Sequence, residues 1–359
     1  MGAIYYHSKF WGINKFDDFQ KELSEYKKKI KELDRIQISG SVNMEKILPV
    51  LWEEIFKHHK SLHLRFFLYQ SFDVNWIANY PELESISIEA ISNIKNLEKL
   101  SLFKNLKVLA LKFDYNTVKD LSFLENINPN LEELYIVSGS KAGKIDLNSA
   151  AHFRNLKTLH IENLEKNLEK TLSQLSELEN LTLRSTSKPK TLDCISKFTK
   201  LKHLTLQLCG FENIDAAIHL KSLQYLQLWR LPKLTDLEFV SQMKDLQFLF
   251  IETLNGVTQF PKVADLQKLR RVKITSCKNI TDFSNVEHSS SIIDFIIQNA
   301  VQTDLNIFIP ILKNKNIQRI GIGYQKVATQ KEVLALAQQC GREEIQAYMY
   351  PDFEEFKFQ

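Results

Sequence analysis

One short phrase, L-x-x-L-x-L with Ile, Val or Phe standing in at times, recurs along most of this chain. It begins at Leu83, Leu106, Leu131, Leu156, Leu178, Leu201, Leu223, Leu246, Leu269, Ile292 and Ile317, with starts 22 to 25 residues apart. A unit of that size has room for one short strand and a return segment. It cannot bury both faces alone, so successive units must stack on one another. The repeat overrides the two-domain expectation that a length of 359 residues would otherwise raise, because a stack grows without a domain limit.

The phrase Leu201-Lys-His-Leu204-Thr-Leu206 shows how a unit works. Leu204 and Leu206 alternate with His203, Thr205 and Gln207, the period of two that marks a half-buried strand. Ile214, Ile218 and Leu220 follow at the looser spacing of a helix or turn behind the strand. Stacking sets each strand parallel to the last, about 4.8 Å away. The strand side is narrower than the back, so the stack is expected to curve with its strands inside.

The phrases Leu223-Gln-Tyr-Leu226-Gln-Leu228 and Leu246-Gln-Phe-Leu249-Phe-Ile251 resemble those of the leucine-rich-repeat proteins, and Ile274-Thr-Ser-Cys277-Lys-Asn-Ile280-Thr-Asp282 is similar to their cysteine-containing variety. The resemblance covers about two-thirds of the chain. It implies an α/β fold, a curved leucine-rich-repeat solenoid (a horseshoe) with a parallel inner β-sheet. The family often places Asn three residues after the last strand leucine. Here that column reads Ile91, Asp114, Gly139, Leu164, Thr186, Cys209, Leu231, Leu254, Cys277 and Ala300. With no Asn there, loop polar groups must find other partners, and less regular turns are expected.

A stack exposes apolar edges and needs caps. Residues 14–32 carry Phe16, Phe19, Leu23, Tyr26 and Ile30 at helical spacing, and residues 43–59 carry Ile47, Leu51, Ile55 and Phe56, with Pro49 bending or ending the first turn. Degenerate strand phrases begin at Leu33 and Leu64. Thr329 to Gly341 reads as a last helix, Thr329 its N-cap, Glu332 completing a capping box and Gly341 stopping it. The division expected is a helical cap with degenerate repeats over 1–82, the solenoid over 83–328, and a capping helix and tail over 329–359. The acidic-aromatic tail either packs on the cap or hangs free.

Composition narrows function by exclusion. The net charge of +4 and the lack of a long basic block argue against nucleic acid. No stretch approaches the 18 apolar residues of a membrane span, and no export signal opens the sequence. Cys194, Cys209, Cys277 and Cys340 are scattered without a C-x-x-C, and read as reduced and mostly buried. A soluble cytoplasmic protein is expected. His58, His59 and His63 include a four-residue spacing that zinc uses on helices, but no third ligand follows, and polar cap surface is the better reading. P-loop, G-x-S-x-G and G-x-G-x-x-G motifs are absent, and Gly321-Ile-Gly323 sits in a strand phrase. Cys340 has fewer than twenty residues after it, too few for a catalytic domain of the ubiquitin-ligase kind. No enzyme, cofactor or metal is expected.

The residues between the strand leucines form three outward columns, expected to be polar unless something covers them. In neighbouring units they instead hold Tyr225, Trp229, Phe248 and Phe250, flanked by Glu252, Arg271 and Lys273. Aromatics with Arg are enriched at binding hot spots, and a contiguous apolar patch marks an interaction site. Register error or coverage by the chain's own tail would give the same pattern. Tyr135, His160, Arg184 and His203 extend the candidate surface, with solvated surface as the alternative. The expected function is a non-enzymatic protein–protein interaction module that holds another protein on its concave face. Lys-, Ile- and Asn-rich usage points to a bacterial source. An inhibitor or immunity protein is the first role considered. An effector, or a scaffold or regulatory subunit using the same surface, is the alternative. A monomer is favoured.

Overall fold

The computed structural model describes residues 9–349 apart from 41, 69, 91, 115 and 140–143. Each of the eleven phrases forms a strand, and the phrases at Leu33 and Leu64 form two more. Two compact units contain them, Met1–Leu178 and Glu179–Gln359. In the first, β1 (Phe10–Ile13), β2 (Arg35–Ser39), β3 (His63–Leu68), β5 (Ser85–Ala90), β7 (Val108–Phe113), β8 (Glu133–Ser138) and β9 (Thr158–Glu162) pair in parallel. The two-residue strands β4 (Phe72–Asp73) and β6 (Ile94–Lys95) pair separately. In the second, β10 (Asn180–Arg184), β11 (His203–Gln207), β12 (Tyr225–Trp229), β13 (Phe248–Glu252), β14 (Arg271–Thr275), β15 (Asp294–Gln298) and β16 (Arg319–Ile322) do the same. Each unit thus holds seven parallel strands in one sheet.

Register keeps like beside like. Leu204, Leu226, Leu249, Val272, Phe295 and Ile320 stand opposite one another from β11 to β16, and all are fully buried. A one-residue slip would turn every one of them outward, which is why the leucines fix the pairing. Behind the strands the return segments are mostly single 3-10 turns, such as Asp193–Lys197, Asp215–His219 and Glu238–Gln242. Short polar side chains start them: Asn213 Oδ1 accepts from the Asp215 N–H and Asp236 Oδ1 from the Glu238 N–H. Ile195, Ala217 and Val240 close the core from that side.

The missing Asn column has a structural answer one residue earlier. Asn163, Ser185, Leu208, Arg230, Thr253, Ser276 and Asn299, each directly after a strand, hold φ between 52° and 62°. This left-handed conformation costs an ordinary L-residue about 1–2 kcal/mol. It aims the backbone N–H at the next unit: Leu208 N donates to the Trp229 carbonyl at 2.8 Å and Thr253 N to the Thr275 carbonyl at 2.9 Å. The ladder thus runs one bond past the strand. The following column is then free to bury Thr186 and Cys209, whose Oγ1 and Sγ lie 3.1 Å apart.

At the N-terminal end, β1 was not read from the sequence. Trp11 on it is buried, stacking on Phe19 and Tyr26 of α1 (Phe16–Lys29). Helix α2 (Met44–Leu51) is capped by Asn43, and Pro49 neither ends nor interrupts it; the chain passes on into a π turn, Trp52–Phe56. Short helices α3 (Leu168–Leu172) and α4 (Ile309–Lys313) lie in return segments. The last helix, α5 (Val327–Gln339), starts before Thr329. Its N-cap is Lys326, without a side-chain bond, so the Thr329–Glu332 capping box does not form. Gly341 does end it, at φ +74°, with Gly341 N on the Gln338 carbonyl and Arg342 N on the Ala337 carbonyl.

Candidate functional surface

The outward columns of the second unit meet as expected in register but not in exposure. Tyr225 stands opposite Phe248, Gln227 opposite Phe250 and Trp229 opposite Glu252. Phe248, Phe250 and Glu252 stand in turn opposite Arg271, Lys273 and Thr275. The Tyr225 and Phe248 rings stack at 5.0 Å, and His203 meets Tyr225 edge-on at 6.0 Å. Cations cover two of the remaining rings. Arg184 lies 5.2 Å from the centre of Trp229, and Lys273 lies 4.8 Å from that of Phe250. Glu252 sits beside them, its carboxyl raised by burial against the opposing pull of Lys273. Burial also lowers the His203 imidazole, with Lys202 adding to the effect.

Two members are not open. Phe248 is 6% exposed and Arg271 8%. Arg271 Nε reaches Asp294 Oδ2 at 2.7 Å, and Arg319 Nη2 reaches the same oxygen at 2.7 Å. Asp294 is wholly buried between the two guanidiniums. The residues of this face that remain accessible are therefore Trp229, Phe250, Tyr225, Arg184, Lys273 and Glu252, all half-buried. Phe248, Arg271 and Asp294 lie beneath as its support. Phe248 also packs against fully buried Ile296, and Met349 from the end of the described chain joins that cluster with Tyr225 and Phe250. The acidic-aromatic tail beyond Met349 lies outside the described residues.

In the first unit the expectation of a solvated polar face fails. Tyr135 and His160 are each 6% exposed, with ring centres 6.1 Å apart. Tyr135 donates its hydroxyl to Glu133 Oε2 at 2.7 Å. Ser87 and Glu89 are buried as well. The reason is the size of their neighbours. His63 Nδ1 lies 2.7 Å from Ser85 Oγ and Nε2 2.7 Å from Ser87 Oγ. Arg65 Nε donates to Glu89 Oε1 at 2.6 Å and its Nη1 to Gln37 Oε1 at 2.8 Å. Burial, with Arg35 and Arg65 adding, lowers His63 to about 4. The imidazole is neutral at pH 7, and Ser87 is closed to solvent.

His63 opens β3, while the preceding helical stretch ends at Phe56. His59 and His63 therefore do not share the helix face that a zinc pair needs. Cys209 and Cys277 are buried and free, and burial pushes the Cys277 thiol up to about 11. Cys194 and Cys340 are half-buried thiols. Among the described residues no group of His, Cys, Asp and Glu is arranged to hold a metal. No helix among them is long and apolar enough to cross a membrane.

Among the described residues the strand leucines are buried and the strands parallel, and the phrases that form them start 22 to 25 residues apart. Solved structures with the same path include an internalin from Listeria monocytogenes, with 16% identity over 81% of this chain and 82% of that one at a TM-score of 0.56. The fold is that of the leucine-rich-repeat proteins. A leucine-rich-repeat protein of Leptospira interrogans is also similar, with 17% identity over 93% and 99% of the two chains and a TM-score of 0.47. No family model matches this sequence. Its return segments are mostly 3-10 turns, and a left-handed residue follows each strand from β9 to β15. Two features escaped the sequence reading: the Arg271–Asp294–Arg319 triad and the approach of Met349. Asp294 falls in an outward column, so its burial had no signature; an outward Ile296 beside it was the available hint.

Proposed function

We propose that this chain is a non-enzymatic protein-binding module that takes its partner on the open, concave side of strands β10 to β14. The observation that carries the reading is the cation-flanked aromatic surface, Arg184 on Trp229 and Lys273 on Phe250. Rings held in place by guanidinium and ammonium groups lose little freedom on binding, and such residues concentrate binding energy. Trp229 and Phe250 would act as anchors, and Glu252 and Lys273 would set orientation. Tyr225 and His203 extend the surface, whereas Phe248 and Arg271 support it from below. Tyr135 and His160, buried in the first unit, would contribute only if the partner displaced their neighbours.

Inhibition of the partner, as by an immunity protein, is the role preferred, with effector, scaffold or regulatory subunit as the alternative. A bacterial source and cytoplasmic location belong to the same reading. Four cysteines that stay thiols support the location, and cell fractionation checks it. The net charge of +4 favours a protein over a nucleic acid. The reading further takes the chain as a monomer, divided as cap, solenoid and C-terminal cap. The test is affinity capture from the native cell with wild type beside a Trp229→Ala/Phe250→Ala variant. A protein held by the first and lost from the second supports the reading. Equal capture by both overturns it.

A further inference from the structure

The last described residues supply an apolar seat on the open face of the second unit. Ile345 is buried. Gln346 then pairs in parallel with Gly321 of β16, its N–H on the Ile320 carbonyl at 3.1 Å and its carbonyl accepting from Ile322 N at 2.9 Å. Gln346 thus closes the outer edge of β16. Two glycines permit it. A Cβ on Gly323 would stand 2.1 Å from the Ala347 carbonyl oxygen, and one on Gly321 3.2 Å from that of Tyr348. Gly321 lies opposite Ile296 in an outward column, so by Tyr348 the chain has turned onto the open face. Met349 packs there on Phe248 of β13 and Ile296 of β15, beside Tyr225 and Phe250, and so stands over β14.

The charges around that seat are unbalanced. The outward columns of the first unit carry Arg35, Arg65 and Lys112 against Glu89, Glu133 and Glu162. Those of the second carry Arg184, Arg271, Lys273 and Arg319 against Glu252 and Asp294. Asp294 has no exposed surface, and its charge is spent on Arg271 and Arg319. Three cations stay accessible, Arg184, Lys273 and Arg319, against Glu252. They are not scattered. Arg184 brings its charge over Trp229, the third outward position of β12. Lys273 brings its charge over Phe250, the second position of β13. Arg319 brings its charge to Asp294, the first position of β15. Strand spacing and rise put these points on one diagonal, roughly 8 Å and then roughly 12 Å apart. Met349 lies between the second and the third.

In an extended chain alternate side chains share a face, about 6.6 Å apart. Acids two and then four residues apart match the diagonal, and the position between the last two falls on Met349. Nucleic acid fits less well. Its phosphates repeat evenly, Glu252 opposes a continuous anion, and rings already covered by cations do not offer their faces to bases. We propose that the open face of the second unit recognises an extended acidic segment of its partner protein, with carboxylates at Arg184, Lys273 and Arg319 and an apolar side chain on Met349. The segment would read acid-x-acid-x-apolar-x-acid, or the same in reverse. This rests on the function proposed above and names the chemistry of its site.

The test titrates the full chain against fluorescein-labelled Glu-Ser-Glu-Ser-Leu-Ser-Glu, its reverse, and a peptide of the same composition with the three acids adjacent, read by fluorescence anisotropy. One of the first two is expected to bind about tenfold tighter than the third. Arg184→Glu and Lys273→Glu should each weaken that binding about tenfold. Lys221→Glu/Lys262→Glu, on exposed return segments, should change it less than about twofold, because distant charges are screened. Replacing the peptide's middle acid by Lys should restore binding to Lys273→Glu, a recovery that a misfolded protein could not give. Equal binding of the rearranged peptide, an equal loss in the Lys221/Lys262 variant, no recovery in the exchanged pair, or tighter binding of oligothymidylate than of either peptide overturns the proposal. Affinity capture with Trp229→Ala/Phe250→Ala reports separately. If the partner is lost from that variant but the peptides show no preference, the acidic chemistry falls and the partner site stands. If the preference holds while that variant captures the partner unchanged, the partner-site reading falls, and the partner's use of this preference falls with it.

Discussion

The ring of Tyr225 lies flat on that of Phe248, their planes 16° apart, on adjacent strands of the second unit. The pair joins two different jobs. Tyr225 is half-buried and reachable, while Phe248 is 6% exposed and rests on Ile296. Phe248→Ala is expected to lower unfolding stability by about 3 kcal/mol, as for a large buried side chain. Trp229→Ala should cost under about 1 kcal/mol, because most surface changes are that mild. Chemical denaturation of the two variants checks this. Equal losses would contradict the division between anchor and support.

Asp294 holds two guanidiniums and has no exposed surface. Removing one member of a buried charge cluster leaves the others uncompensated, at a cost of about 3–5 kcal/mol. Asp294→Ala is expected near that range. Asp294→Ala combined with Arg271→Met should recover part of it, because one stranded cation goes as well. The double-mutant cycle in urea measures the coupling, and strict additivity would contradict the triad.

His63 links stability to pH. Its folded value is lowered to about 4 by burial and by Arg35 and Arg65, against about 6.5 in an unfolded chain. Between those values the unfolded state binds the extra proton, so stability falls as pH drops from about 6.5 towards 4 and this contribution then levels off. The shift corresponds to a loss on the order of 3 kcal/mol. His63→Gln should flatten that limb of the profile while keeping contact with Ser85 and Ser87. Denaturation midpoints measured from pH 8 to pH 4 decide it, and an unchanged slope in the variant would count against the assignment.

Thr253 is β-branched and sits at φ 52°, a region where such residues are strained. Asn tolerates that conformation with less cost. Thr253→Asn should raise stability by about 0.5–1 kcal/mol, seen as a higher melting temperature. The same change at Thr275, inside β14 and in ordinary strand conformation, should not.

Most of the architecture was legible because periodicity carries it. Leucines at Leu204 and Leu206, or Leu226 and Leu228, admit one register only, and each unit repeats the instruction. What lay hidden depends on contacts between units, where the spacing is silent. Nothing around Leu208 or Arg230 announces a left-handed residue, since the conformation is imposed by the hydrogen bond to the next unit. Tyr135 and His160 look outward by alternation, yet burial on that face is decided by the bulk of neighbours on adjacent strands. The Thr329 capping box met every local rule and failed because the helix already began at Val327, two residues upstream. The aromatic surface was visible. The glycines that let residues 346–348 approach read as ordinary strand residues until Ala347 and Tyr348 were placed beside them.

The closure of β16 by Gln346 bears on solubility. A column of parallel strands contains no built-in last member: what one unit offers its successor, the final unit offers to solvent. Head-to-tail contacts of this kind do not close on themselves and lead to open filaments, and bare strand edges invite them. A short run of backbone laid along that edge, admitted by two residues without side chains, ends the series within one molecule. Lengthening a glycine by a single methyl group would then do more than loosen a terminus. It would convert a finished object into a growing one, with copies adding end to end in proportion to concentration.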